Sequence, residues 1–423
     1  MFPIWSQGSK PYCDGVSRRS FLRVGALGIG SLTFADLLRA EADAGVGSSS
    51  KAIINIHLSG GPSHQDMFDL KPDAPKEFRG DFNPIRTNVP DFDICELFPK
   101  LAQMTDKYAV IRSLVGMISD HSDFHTQTGH TRKDLENAGG RPSIGSVVAK
   151  MLGPSGSGAP PFIGYNGSYP GFLGPVYKPY KPQGGDLRLS GAMTAERLES
   201  RTELLTYLDR TRRDADQSGQ MEALDSYTQR AVDVVTSGSV ADALDLAKED
   251  AKVRQRYGDN DGKMFLTARR LVEAGVRAVN FSWGGWDTHS NNFVTLRKQL
   301  PKLDVAMSAL LQDLHERGMD QDVSVVMWGE FGRTPRVNNS AGRDHWLRLA
   351  TCFLAGGGMR TGQAIGKSTR YAEDAMDRPV HLQEVFSTLY YNLGIDVDRV
   401  TLQDPSGRPQ YLVERRPPIY ELI

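Results

Sequence analysis

Ala52-Ile53-Ile54-Asn55-Ile56-His57-Leu58 is a nearly unbroken apolar run, and Gly60-Gly61-Pro62-Ser63 ends it. Aliphatic residues bounded by turn formers predict a buried strand. The same grammar recurs at Tyr108–Leu114, Val276–Trp283, Val323–Trp328 and Leu349–Ala355, the last stopped by Gly356-Gly357-Gly358. Ser143–Leu152, Met264–Ala274, Pro301–Arg317 and Leu382–Leu393 carry helical spacing. Strands alternating with helices predict an α/β sheet. Gly153–Gly191 is rich in Gly, Pro and Tyr and reads as a long ordered loop region. Ala195–Tyr257 is charged, with Leu204, Leu205, Leu208, Leu224, Tyr227 and Ala231 at helical spacing. It reads as two or three solvent-facing helices, an insertion or cap over about 195–257. The C-terminal stretch reads as a polar tail.

Composition narrows the function classes. The chain has 423 residues, 24% of them charged, and a net charge of −1, which excludes a strongly basic nucleic-acid binder and a charged disordered chain. Three cysteines exclude a disulfide scaffold or a multi-cysteine zinc module. Cys13 lies in the leader. Cys95 and Cys352 remain, either as one bridge or, for Cys352 within an apolar run, as a core thiol.

The first residues read as an address. Ser17-Arg18-Arg19-Ser20-Phe21-Leu22-Arg23 is a twin-arginine motif. An apolar stretch, Val24–Leu38, follows and is too short to span a bilayer. Ala40-Glu41-Ala42 and Ala42-Asp43-Ala44 are small-residue cleavage patterns. Residues 1–44 are therefore expected to be a Tat signal and 45–423 an exported α/β domain. The expected location is the periplasm or cell surface, with the Tat translocon as export partner and no stable transmembrane span in the mature chain. That route carries folded proteins, often with cofactor bound.

Ligands of open α/β sheets bind beyond the carboxyl ends of the strands. Six of the nine histidines (His64, His121, His125, His130, His289, His345) fall in loops expected there. Asp287 and His289, two apart, point the same way in an extended segment and can share one ion. Glu330 and His345 complete a mixed nitrogen/oxygen set suited to zinc, manganese or a related divalent ion. Glu330 also reads as a general base or a structural partner of Arg333. Arg333 reads as an anion clamp, since its fork matches sulfate or phosphate. His121, His125 and His130 are proton-transfer or ligand candidates, or surface histidines. Ser119 and Ser122 are nucleophile candidates if a base or metal activates them. Trp283, Trp286 and Trp346 are sugar platforms or packing supports.

The leader, Gly60-Gly61-Pro62-Ser63-His64-Gln65-Asp66, Gly285-Trp286-Asp287-Thr288-His289, Gly329-Glu330-Phe331-Gly332-Arg333-Thr334-Pro335 and Ala341-Gly342-Arg343-Asp344-His345-Trp346 together resemble the domain-of-unknown-function family 1501. These are exported, sulfatase-like proteins placed in the alkaline phosphatase superfamily. The resemblance implies an alkaline phosphatase-like three-layer sandwich, its mostly parallel sheet flanked by helices, with metal at the strand ends. The ion would be zinc, manganese, calcium or magnesium. It also implies that Asp287 and His289 share one metal and that His345 matches a later histidine ligand. Thr128-Gly129 resembles the close of a sulfatase nucleophile motif, and counting back reaches Ser119. Cys-x-Pro-Ser-Arg is absent, and His64 and Asp66 stand where sulfatases carry paired aspartates.

Two functions follow. One is an exported metal-dependent hydrolase of sulfate or phosphate esters, including polysaccharide-linked esters. Asp287, His289, Glu330 and His345 would bind metal, Arg333 would hold the anionic substrate, Ser119 or water would attack, and His121 would serve as acid/base. The other is a catalytically degenerate binding or assembly protein on the same fold.

Overall fold

The structure is a computed structural model. It describes residues 50–167, 169–182, 237–258 and 260–423, with residues 197, 200, 201, 228 and 232 at isolated positions. The leader and most of the helical insertion expected at 195–257 lie outside the described residues.

Eight strands build the main sheet: β1 Ala52–His57, β2 Tyr108–Val115, β3 Phe162–Gly164, β4 Ala278–Ser282, β5 Val323–Trp328, β6 Ala350–Gly356, β7 Gln363–Ile365 and β8 Val380–His381. Their order is β7-β2-β6-β5-β1-β4-β3, with β8 also pairing β2. All run parallel except β6, which is antiparallel to both β2 and β5.

Alternation along the strands makes two cores. Ile54, Ile56, Val279, Phe281, Val325 and Met327 face one side. Ile53, Ala278, Val326, Trp328, Cys352 and Leu354 face the other. Each buried Ile or Val stabilises the fold by about 1.5–3 kcal/mol, so a one-residue register slip that reversed both faces is strongly disfavoured. Helices α3 (Lys263–Glu273) and α4 (Asn292–Glu316) cover the first face. Helices α2 (Ile144–Met151) and α5 (Leu382–Asn392) cover the second. This is the expected three-layer sandwich with a mostly parallel sheet.

Ser143 accepts the Ser146 amide to cap α2, and His381 and Glu384 form a reciprocal cap on α5. A five-residue helix, α1 (Phe124–Thr128), lies against β1 through Asn55, whose Nδ2 donates to the Thr126 carbonyl at 3.2 Å. No helix among the described residues is long and apolar enough to cross a membrane.

Three expectations change. The helix expected from Pro301 begins at Asn292 and carries Pro301 inside it. Pro301 is exposed, so water can reach the carbonyl its missing amide leaves unpaired. The loop region after Gly153 contains β3, a three-residue edge strand too short to show a pattern. The polar tail is ordered: Thr401–Gln403 pairs with Pro409–Tyr411, and Leu402, Leu412, Val413, Ile419 and Leu422 enter the second core. Cys95 and Cys352 are free buried thiols in different cores.

Candidate metal centre

The site begins at the turn that ends β1. Gly60 and Gly61 have φ of +105° and +70°, a region that favours glycine. A Cβ on Gly60 would stand 2.3 Å from the Asp287 amide nitrogen, so only glycine lets the two loops meet. The turn's amides donate to Glu330: Gly60 N to Oε1 at 2.8 Å and Gly61 N to Oε2 at 3.1 Å. Glu330 is buried, and His57 Nε2 lies 3.5 Å from its Oε2. His57 Nδ1 meets Thr126 Oγ at 3.0 Å, and burial lowers its pKa despite Glu330 and Asp123 nearby.

Arg333 is fully buried. Its Nε donates to the Gly61 carbonyl at 2.9 Å and its Nη1 to the Arg343 carbonyl at 2.9 Å. Nη2 donates to the Gly60 carbonyl and, at 2.5 Å, to Asp287 Oδ1. The guanidinium expected to clamp an anion instead ties the glycine turn to Asp287. Its donors point inward because the two glycines bring backbone carbonyls into its reach.

Above this floor the ligands converge. Asp287 Oδ1 lies 3.0 Å from His289 Nε2 and 3.2 Å from His345 Nε2, and the two imidazole nitrogens are 3.0 Å apart. His121, Asp287 and His345 each offer a ligand atom, all within 4.8 Å of one another. His121 is exposed at the mouth, its ring edge-on to Phe331 and beside His345. Burial opposes the Asp287 charge, but the Arg333 guanidinium outweighs it and holds the carboxyl below its ordinary value. Burial also lowers the pKa of His345, which favours the neutral, ligating imidazole.

His345 joins the cluster for a topological reason. It precedes β6, and because β6 runs backwards, its beginning lies at the edge where the parallel strands end.

The donor set fits a divalent ion. His289 Nδ1 donates to Asp344 Oδ1 at 2.7 Å, which leaves a lone pair on Nε2 facing the Asp287 oxygen. A lone pair 3.0 Å from a carboxylate oxygen is an acceptor facing an acceptor, and a cation between them relieves it. An outer carboxylate orienting a ligand histidine is a recurring support of metal sites.

The predicted residues separate into groups. Asp287, His289, His345 and His121 come together. Glu330 lies beneath them, bound to the glycine amides and 3.7 Å from His121 Nδ1. Ser119 is exposed in the loop before His121, and none of the hydrogen bonds above involves it. Ser122 Oγ binds Asp120 at 2.9 Å. His125 is buried between the His130 and Gly116 carbonyls, at 3.1 and 2.8 Å. Asp66 is a buried strut that accepts Arg343 twice, at 2.8 and 2.9 Å, and His64 is buried beside the Ala372 carbonyl. Trp286 is fully buried and donates to the Trp283 carbonyl, a packing support. Two participants escaped the sequence reading. His57 ends the apolar run as its one ionisable residue, a signal that could have found it. Asp344 adjoins His345 and looked like a loop residue.

No curated protein matches the chain by sequence. Similar solved structures include the lipoteichoic acid synthase LtaP from Listeria monocytogenes, at 10% identity and TM-score 0.35, covering 82% of this chain and 73% of that one. The PsFucS1 sulfatase from Pseudoalteromonas sp. is similar at 13% identity and TM-score 0.37, covering 86% and 71%. Ps i-CgsB, in complex with k-i-k-neocarrahexaose, is similar at 9% identity and TM-score 0.35, covering 82% and 72%. The family described as "Protein of unknown function (DUF1501)" matches residues 50–423, and the chain belongs to that family.

Proposed function

We propose that this chain is an exported metal-dependent hydrolase of sulfate or phosphate esters, with polysaccharide-linked esters as a substrate class. The observation that carries the reading is the convergence of His121, Asp287 and His345 at the strand ends, with His289 oriented by Asp344. The Ser17–Arg23 motif supports export. Asp287, His289 and His345 would hold the ion, with His121 beside them. A divalent ion there supplies Lewis-acid polarisation of an ester oxygen. The chain's own residues do the rest. Arg333 fixes the Asp287 carboxylate, and Glu330 fixes the Gly60-Gly61 turn on which Asp287 rests. His121, exposed beside the cluster, would hand a proton to a leaving alcohol. Ser119, two residues earlier, is the candidate attacking hydroxyl.

The test is metal analysis of the purified chain, followed by aryl-sulfate and aryl-phosphate assays with and without chelator. The expected result is bound divalent metal and chelator-sensitive turnover, with the cluster's metal and the turnover both lost in Asp287→Ala/His289→Ala. Metal retained at the cluster by that variant would overturn the ligand assignment. The second reading, a degenerate binding or assembly protein, is favoured by the inward-facing Arg333. Metal binding without turnover on either ester class would select it.

A further inference from the structure

A second cluster lies outside this site. His130, Asp134 and Glu414 each offer a ligand atom, all within 4.8 Å of one another. His130 is buried, Asp134 is partly exposed and Glu414 is exposed. The group joins the loop after α1 to the C-terminal segment.

The tautomer of His130 makes this more than an accidental meeting of charges. Its Nε2 lies 3.2 Å from the Leu412 carbonyl, 282 residues away, and a carbonyl only accepts. The ring proton therefore sits on Nε2, leaving a lone pair on Nδ1. That lone pair faces Asp134 Oδ2 at 3.3 Å, again acceptor against acceptor. The Gln383 amide reaches Nδ1 only at 3.5 Å and gives its shorter hydrogen bond, 3.0 Å, to the Gly129 carbonyl. Arg141 donates to the Tyr411 carbonyl at 3.0 Å and feels both carboxylates. Of the charges that act on His130, Asp134 and Glu414 are negative and Arg141 is positive.

The ring is also held before any ligand arrives. The His130 amide donates to Thr128 Oγ at 3.2 Å, and its carbonyl accepts His125 Nδ1 at 3.1 Å. The Glu414 amide donates to Gln383 Oε1 at 2.9 Å, which seats the C-terminal segment beside the ring.

We propose that His130 Nδ1, Asp134 and Glu414 form a second divalent-cation site, which staples the C-terminal segment to the loop after α1. One imidazole, two carboxylates and an open side toward solvent suit zinc. The ion would lock together two parts of the chain far apart in sequence, so its binding would raise stability.

The test uses the full chain carrying His121→Ala, Asp287→Ala, His289→Ala and His345→Ala, which removes the first cluster. After chelator treatment and desalting it is titrated with zinc, while bound metal and melting temperature are followed. The expected result is roughly one equivalent of zinc per chain and a higher melting temperature. Adding Asp134→Asn and Glu414→Gln, both at positions open to solvent, should remove the zinc and the thermal shift while circular dichroism stays unchanged. Absence of zinc from the chain without the first cluster would overturn the proposal, as would zinc retained after the two carboxylates are neutralised. Either result is separable from failure of the first site, whose ligands are already gone.

Discussion

At the scale of single residues, similar side chains divide between chemistry and support according to what surrounds them. Asp287 and Asp66 are both paired with arginine. Asp66 is buried, its oxygens filled by Arg343, Ser63 and Asn292, and has no room for an ion. Asp287 has one oxygen on Arg333 and stands half exposed among histidines. The histidines divide likewise. Burial takes the His64 pKa from the ordinary 6.5 down to about 4, against the pull of Asp69. The unfolded chain then binds this proton first as pH falls. The stability tied to neutral His64 is complete above the unfolded value near 6.5 and is lost as pH falls toward about 4. The shift corresponds to a loss on the order of 3 kcal/mol across that window. Urea unfolding at neutral pH and near pH 4.5 should show wild type losing more stability than His64→Gln. Equal losses would mean that another group drives the acid sensitivity.

At the scale of elements, the loops do the positioning and the strands set where they meet. Gly60 lets the β1 turn touch the Asp287 loop, and the reversed β6 delivers His345 to the same edge. Helix α4 shows how packing overrides local preference. Its buried residues Phe293, Leu296, Leu300, Leu303 and Met307 continue one apolar face straight past Pro301. Burial of that face outweighs the lost backbone bond. Pro301→Ala should restore the bond on the solvent side and raise stability by about 1–3 kcal/mol, read as a higher urea midpoint with an unchanged slope. A lower midpoint would show that proline's restriction of the unfolded chain outweighs the restored bond.

At the scale of the whole molecule, the sheet separates the two cysteines. Cys95 packs in one core and Cys352 in the other, and burial pushes the Cys95 thiol up to about 12 and that of Cys352 well above its ordinary value. Even in an oxidising compartment they stay unpaired. The chain from residue 45 onward should melt at the same temperature with and without dithiothreitol, and both thiols should react with Ellman's reagent only after denaturation. A reductant-sensitive melting temperature would contradict this arrangement.

Much of the fold was legible in the sequence because its signal is local. Aliphatic runs stopped by glycine marked β1, β2, β4, β5 and β6 to within a few residues. Helical spacing marked α2, α3 and α5. The meeting of Asp287, His289 and His345 was readable from their residue types and from the rule that sites lie at strand ends. Strand β3, the start of α4 and the ordered C-terminal segment were not, because their burial comes from partners distant in sequence. The direction of β6, the inward turn of Arg333, the retreat of Glu330 beneath the cluster, and the meeting of His130 with Glu414 were decided only in the tertiary structure. Each depends on which backbone carbonyls, amides and side chains are brought within hydrogen-bonding distance, and no stretch of sequence encodes that alone.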